Sequence, residues 1–117
     1  MIFDHVQICV PLARVEETIA FWEKIIGLER VAKPNTRPGA WFRVGEHSLH
    51  LGVEEVEGNN AKSKRHVCFR VNDVDMEERR LREKGITIFP DEDPAPGWKR
   101  FYVRDPAGNR LEIGQAI

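Results

Sequence analysis

The chain carries no excess charge of either sign: 18 Lys and Arg stand against 19 Asp and Glu, a formal net charge of −1. No global field therefore favours nucleic acid or an anionic membrane, and the cations are interspersed with acids rather than gathered in a stripe. It also lacks any apolar run near the roughly 18 residues that a membrane helix needs. The opening MIFDHVQICV has neither the basic start nor the longer apolar stretch of a secretion signal. Cysteine is scarce. Cys9 and Cys68 lie far apart within apolar segments and read as reduced, buried thiols of a cytoplasmic protein. What remains is ordinary globular material: 41% hydrophobic and 32% charged residues in 117, enough for one compact domain with its own core.

Within that length the chain repeats itself. His5, Gln7 and Cys9 alternate with Val6, Ile8 and Val10, the period of a half-buried strand. PLARVEETIAFWEKIIG follows, with Val15, Ile19, Trp22 and Ile26 at helical spacing and Gly27 placed to end the helix. Strands are expected at Leu28–Lys33, Ala40–Val44 and Ser48–Val53, punctuated by Pro34, Pro38, Gly39 and Gly45. The polar, aperiodic stretch 54–65 reads as a linker. The pattern then restarts: HVCFRV (66–71), a helix over Val74–Lys84, and strands at Ile86–Phe89, Arg100–Arg104 and Arg110–Gly114. His5 and His66 lie 61 positions apart, Leu49-His50-Leu51-Gly52 matches Leu111-Glu112-Ile113-Gly114 at an offset of 62, and Glu23-Lys24 recurs as Glu83-Lys84 at 60. The expected fold is α+β: two tandem β-α-β-β-β modules (about 1–53 and 66–117) in one domain, forming curved mixed sheets around a central cleft with helices outside.

Alternation places His5, His50, His66 and Glu112 on the strand faces turned away from the helices. Imidazole nitrogens and a carboxylate oxygen on separate strands suit one first-row divalent ion (Zn, Ni, Mn, Co or Fe) and leave coordination positions for a small-molecule substrate. Cys9 and Cys68 share that face, with small buried side chains their expected role. His47, after Gly45-Glu46, reads as a turn residue. Arg37, Arg43, Lys99 and Arg100 are candidates for holding an anionic substrate group, against the plainer expectation that they are solvated. Trp41, Trp98 and Tyr102 are either pocket lining or packing, and PDEDPAPGWK (90–99) is a loop candidate over the site.

DHVQICV, AFWEKIIGLE, RHVCFRVNDVD and DPAGNRLEI together resemble the glyoxalase/bleomycin-resistance/extradiol-dioxygenase group, the vicinal oxygen chelate superfamily. The resemblance spans nearly the whole chain, with 54–65 and 90–99 least covered. It implies metal ligation by His5, His66 and Glu112. Because such modules often cooperate across a dimer with ligands drawn from both chains, it also implies a symmetric homodimer, with a site inside one chain and a site across the dimer both left open. In the glyoxalase I branch the fourth position is a glutamate that doubles as base, and in the methylmalonyl-CoA epimerase branch it is usually glutamine; here it is His50. The expected activity is metal-dependent lyase or isomerase chemistry on a substrate with vicinal oxygens, with His50 or Glu112 moving the proton. Fosfomycin-type transfer and Fe(II) extradiol dioxygenation need only two His and one Glu, and stay open as alternatives. Antibiotic binding without chemistry would leave the triad without a purpose.

Overall fold

The computed structural model describes residues 1–55 and 60–117. It divides into two compact units, Met1–Asn59 and Asn60–Ile117. The expected linker contains this boundary; its residues 56–59 lie outside the described part, and 60–62 form a short 3-10 turn. The two units share one topology. In the first, β1 (His5–Val10), β2 (Glu29–Val31), β3 (Gly39–Val44) and β4 (His47–Val53) form a sheet ordered β1-β4-β3-β2. In the second, β5 (His66–Arg70), β6 (Phe89–Pro90), β7 (Trp98–Arg104) and β8 (Arg110–Ala116) are ordered β5-β8-β7-β6. β1 pairs with β4, and β5 with β8, in parallel; the other pairs are antiparallel. The fold is α+β, a β-α-β-β-β unit used twice, as the repeat predicts.

Register fixes the faces, because side chains alternate along a strand. In the first unit Leu49, Leu51, Ala40 and Phe42 are buried on one face, with Val15 and Ile19 of helix α1 (Val15–Ala20). The expected single helix from Pro11 to Gly27 is three pieces instead: a 3-10 turn, α1, and a π-helical turn over Phe21–Ile26 closed by Gly27 at φ 91°. The π turn shifts the helical phase, so Phe21 is buried beside Trp22, a position the 3.6-residue period misses. In the second unit Leu111, Ile113, Phe101 and Val103 are buried with Val74 and Leu81 of helix α2 (Val74–Glu83). Asp73 caps α2, its side chain accepting from the Met76 N–H at 2.9 Å.

Several boundaries move. β6 occupies Phe89–Pro90 rather than Ile86–Phe89, because Gly85 ends the helix in a left-handed turn and β7 pairs only with those two residues. β7 begins at Trp98, so the loop expected over 90–99 shrinks to 91–97. β2 is three residues long, and His47 opens β4 opposite Val44 instead of lying in the turn. The His47 ring meets Phe3 edge-on at 5.2 Å, and its parity puts it on the face opposite His50. The DPAGN turn that delivers β8 is organised by buried Asp105. Its Oδ1 accepts from the N–H groups of Ala107 (3.0 Å) and Asn109 (2.8 Å), and its Oδ2 from Asn109 Nδ2 (3.0 Å). No helix is long and apolar enough to cross a membrane among the described residues.

Candidate metal centre

On the open face of the first sheet, register sets Gln7 beside His50 and His50 beside Trp41, with His5 and Ser48 in the next row. The three rings form a stack. Trp41 and His50 centroids are 3.9 Å apart at 2°, and His50 and His5 are 4.1 Å apart at 16°. His50 is 7% exposed, and its Nε2 lies 3.0 Å from Ser48 Oγ. Burial first, and then the nearby His5, hold its pKa below the usual histidine value, so the ring is neutral at neutral pH. His5 Nδ1 lies 2.7 Å from Asp4 Oδ2; a carboxylate can only accept, so Nδ1 carries a proton and Nε2 faces away from that bond. A groove of about 560 Å³ runs past this stack, lined also by Lys33, Asn35 and Arg37. Lys33 donates to Asn35 and to the Arg37 carbonyl, which ties the 33–37 bend together. Arg43 is not part of it: its Nε donates to Glu29 across the strand pair at 3.1 Å.

On the open face of the second sheet, His66 pairs with Arg110, and Cys68, Glu112 and Tyr102 form the next row. His66 Nε2 stands 2.9 Å from Glu112 Oε2, while His66 Nδ1 donates to the Lys64 carbonyl at 2.8 Å. Glu112 is 5% exposed, and its other oxygen is held too: Oε1 accepts from Trp98 Nε1 at 2.8 Å and from Arg100 at 3.4 Å. Burial alone would raise the Glu112 pKa. The Trp98 hydrogen bond, the charge and hydrogen bond of Arg100 and the His66 charge outweigh it and keep the carboxyl below its ordinary value. Neither cysteine is buried as expected: Cys9 is half-buried and Cys68 exposed. Cys68, beside Glu112, is a thiol, its pKa pushed up to about 11 by partial desolvation of the sulfur and then by Glu112. Lys99 points to the helix side and pairs with Asp75 at 2.7 Å.

Glycine makes room in both sheets. A Cβ on Gly114 would lie 2.2 Å from Trp98 Cζ2, so only glycine lets the indole lie across β8 and reach Glu112. A Cβ on Gly52, its repeat partner, would lie 2.6 Å from Gln7 Nε2. The repeated runs His50-Leu51-Gly52 and Glu112-Ile113-Gly114 thus clear space on the open face beside two of the four candidate ligands.

Each unit brings two of the four candidates together; within the described residues no group of three or more His, Cys, Asp or Glu side chains is clustered as a ready cage. The His66–Glu112 pair fits an ion. Two ligands about 2.1 Å from a metal and at right angles to each other lie about 3 Å apart, close to the distance seen. With Nδ1 committed to a carbonyl, Nε2 meets the carboxylate through a second proton or through a cation held between them. Both His5 and His66 have Nδ1 backed by an oxygen acceptor, the arrangement that orients metal-ligating imidazoles. His5 and His50 as stacked do not aim at one ion together, because ring lone pairs lie in the ring plane and the two planes are nearly parallel; one ring would have to turn. Asp4, Ser48 and Arg110 escaped the sequence reading, as did the grip of Trp98 on Glu112. The signal for the last was Trp98-Lys99-Arg100 continuing the β7 alternation backwards into the presumed loop.

The pattern of the Glyoxalase/Bleomycin resistance protein/Dioxygenase superfamily matches residues 2–113, and the chain belongs to that superfamily. A crystal structure of a glyoxalase family protein from Bacillus anthracis superposes with a TM-score of 0.88 at 35% identity, covering 100% of this chain and 96% of that one. The glutathione transferase FosA of Serratia marcescens is 28% identical over 115 residues, 94% of this chain and 77% of that protein. The lactoylglutathione lyase of Agrobacterium tumefaciens shares the fold at a TM-score of 0.77 and 24% identity, covering 97% and 92%.

Proposed function

We propose that the protein is a divalent-metal-dependent enzyme of the glyoxalase type, with His5, His66 and Glu112 as ligands. It would perform lyase or isomerase chemistry on a small substrate bearing two neighbouring oxygens. The observation that carries this reading is the His66–Glu112 pair, whose separation of 2.9 Å suits two cis ligands of one first-row ion. When bound, such an ion supplies positions for vicinal oxygens and acidifies the adjacent C–H. The protein's own part is to hold and to move a proton. Trp98 and Arg100 fix one oxygen of Glu112, so the other has a set direction. His50, neutral and buried, is the candidate base, because its ring accepts a proton without first losing one. The Trp41 stack fixes the plane of that ring, and Glu112 is the alternative base.

A second reading, group transfer, draws support from the relative named a glutathione transferase. The two separate in one experiment. Protein loaded with Zn2+, Mn2+, Ni2+, Co2+ or Fe2+ is incubated with hydroxyacetone in D2O, and in parallel with an epoxide and glutathione. Metal-dependent C–H exchange that is lost in His50→Ala supports the first reading. Thioether formation without exchange replaces it with the second. We further propose that the chain acts as a symmetric homodimer, a common way for such modules to complete a site. Light scattering should give twice the 13.5 kDa chain mass at micromolar concentration, and a monomer mass would remove this claim.

A further inference from the structure

β5 begins at His66, so the strand register does not reach the residue that orients its ring. That residue is Lys64, whose carbonyl lies 2.8 Å from His66 Nδ1. A carbonyl can only accept, so the contact puts a proton on Nδ1. It also sets the turn of the ring that brings Nε2 to Glu112 Oε2 at 2.9 Å. The direction of this candidate ligand therefore depends on what fixes a carbonyl outside the sheet. Ser63 Oγ accepts from the backbone N–H and the Nε–H of Arg65, at 3.3 and 3.1 Å, a turn closed within three residues. A tie to the rest of the unit comes from Arg104 at the end of β7. Its Nη2 donates to the Ser63 carbonyl at 3.1 Å and its Nη1 to the Gly108 carbonyl at 2.9 Å. Gly108 lies in the turn that Asp105 organises, so the guanidinium spans from a braced turn to the chain entering β5. A planar fork holds two acceptors in fixed directions, which a single ammonium does not.

Arg43 occupies the equivalent place in the first unit. It pairs with Ser48, the partner of His5, as Arg104 pairs with Arg110, the partner of His66. Yet Arg43 Nε donates to Glu29, and His5 Nδ1 is met directly by the carboxylate of Asp4. In the second unit the residue before the histidine is Arg65, whose side chain has no acceptor to offer. A backbone carbonyl takes the place of the missing carboxylate. The arginine that the first unit directs to Glu29 holds the segment carrying that carbonyl.

We propose that Arg104 is a positioning residue for His66: by gripping the Ser63 carbonyl it fixes the Lys64 carbonyl, which keeps the proton on His66 Nδ1 and aims Nε2 at Glu112. The effect on a metal rests on the metal-centre reading above; the orientation of the ring does not.

The ring N–H signals of the histidines are followed by 1H–15N NMR in metal-free protein at low temperature. His66 and His5 should both show an Nδ1–H signal in the wild type. Arg104→Gln should abolish the His66 signal, and Arg104→Lys, which keeps the charge but not the fork, should weaken it, with His5 unchanged in both. Arg43→Gln should leave the His66 signal as in the wild type. A role in stability alone would lower the urea midpoint and leave the ring signal in place, so an unchanged His66 signal in a folded Arg104→Gln protein overturns the proposal. If neither Arg104 variant folds, the wild type decides: resolved Nη–H signals of Arg104 support the grip, and Nη–H signals averaged by fast rotation overturn it. Mn2+ affinity, measured on the same samples, should fall about tenfold in Arg104→Gln, the lower end of the range for groups that support a ligand. Loss of the His66 signal with undiminished Mn2+ affinity leaves the positioning role standing and removes His66 from the ligand set. Weakened Mn2+ binding with an undisturbed His66 signal does the reverse.

Discussion

Glu112→Gln is expected to lower affinity for a divalent ion by about a hundredfold or more while leaving the fold intact. The substitution keeps the shape of the side chain and an oxygen that can still accept from Trp98 Nε1, so the packing around it has no reason to change. What it removes is the negative charge facing His66 Nε2 at 2.9 Å. A carboxylate ligand contributes both a donor oxygen and charge neutralisation, and a neutral amide contributes little of the second. Even groups that only support a ligand are worth about 10–100-fold in affinity, which sets the lower edge for removing the ligand itself. Competition against a chelator of known affinity measures the change. Stoichiometric, undiminished binding by the Gln variant would show that Glu112 is not a ligand and that its contacts with Trp98, Arg100 and His66 are structural.

The second large effect is expected at Gly114, whose missing Cβ makes room for the Trp98 indole. In Gly114→Ala the new methyl would stand 2.2 Å from Trp98 Cζ2 and 2.5 Å from Cε2, so the indole must leave its place over β8. Its N–H then leaves Glu112 Oε1, which keeps only the longer 3.4 Å contact from Arg100. Metal affinity should fall about 10–100-fold, the range for loss of a supporting hydrogen bond. Stability of the metal-free protein should fall by about 1–3 kcal/mol, the usual cost of overpacking a buried site. Gly52→Ala is the control. There the new methyl meets the end of the flexible Gln7 side chain, which can swing aside, so the stability loss should be clearly smaller. A double-mutant cycle with Trp98→Ala separates the causes: if the clash with the indole is the reason, the two substitutions are non-additive, and Gly114→Ala costs little once the ring is gone. Additive losses would place the effect in the β8 backbone instead.

The repeat made most of this architecture legible. His5 and His66, and the Leu-x-Leu-Gly and Leu-x-Ile-Gly runs, occupy equivalent places in two sheets of the same strand order. Alternation alone put His5, His50, His66 and Glu112 on faces opposite the buried Leu and Phe residues, and the strand registers agree. Where the reading failed, the cause was local chemistry that periodicity does not carry. A π turn inside the first helix brought Phe21 into the core. Three prolines in 90–99 suggested a loop ten residues long, and β7 reached back into it because Trp98 pairs with Ala116 on β8. The ring stack of Trp41, His50 and His5 was invisible, since it depends on side-chain rotation rather than on which face a residue occupies. The grip of Trp98 on Glu112 is hidden for the opposite reason: in the sequence the glycine that permits it stands only as part of a repeat, and its missing Cβ gains a neighbour, the Trp98 indole, only through the pairing of β7 with β8.

The claim on which the rest depends is that His5 and His66 ligate one ion together with Glu112. Pulsed EPR on protein carrying one equivalent of Cu2+ counts the coordinated imidazoles directly through their remote ring nitrogens. The wild-type protein should show at least two, and His5→Ala and His66→Ala should each show one fewer, with Glu112→Gln leaving the imidazole count unchanged while weakening binding. An imidazole count that neither histidine substitution alters would contradict the assignment.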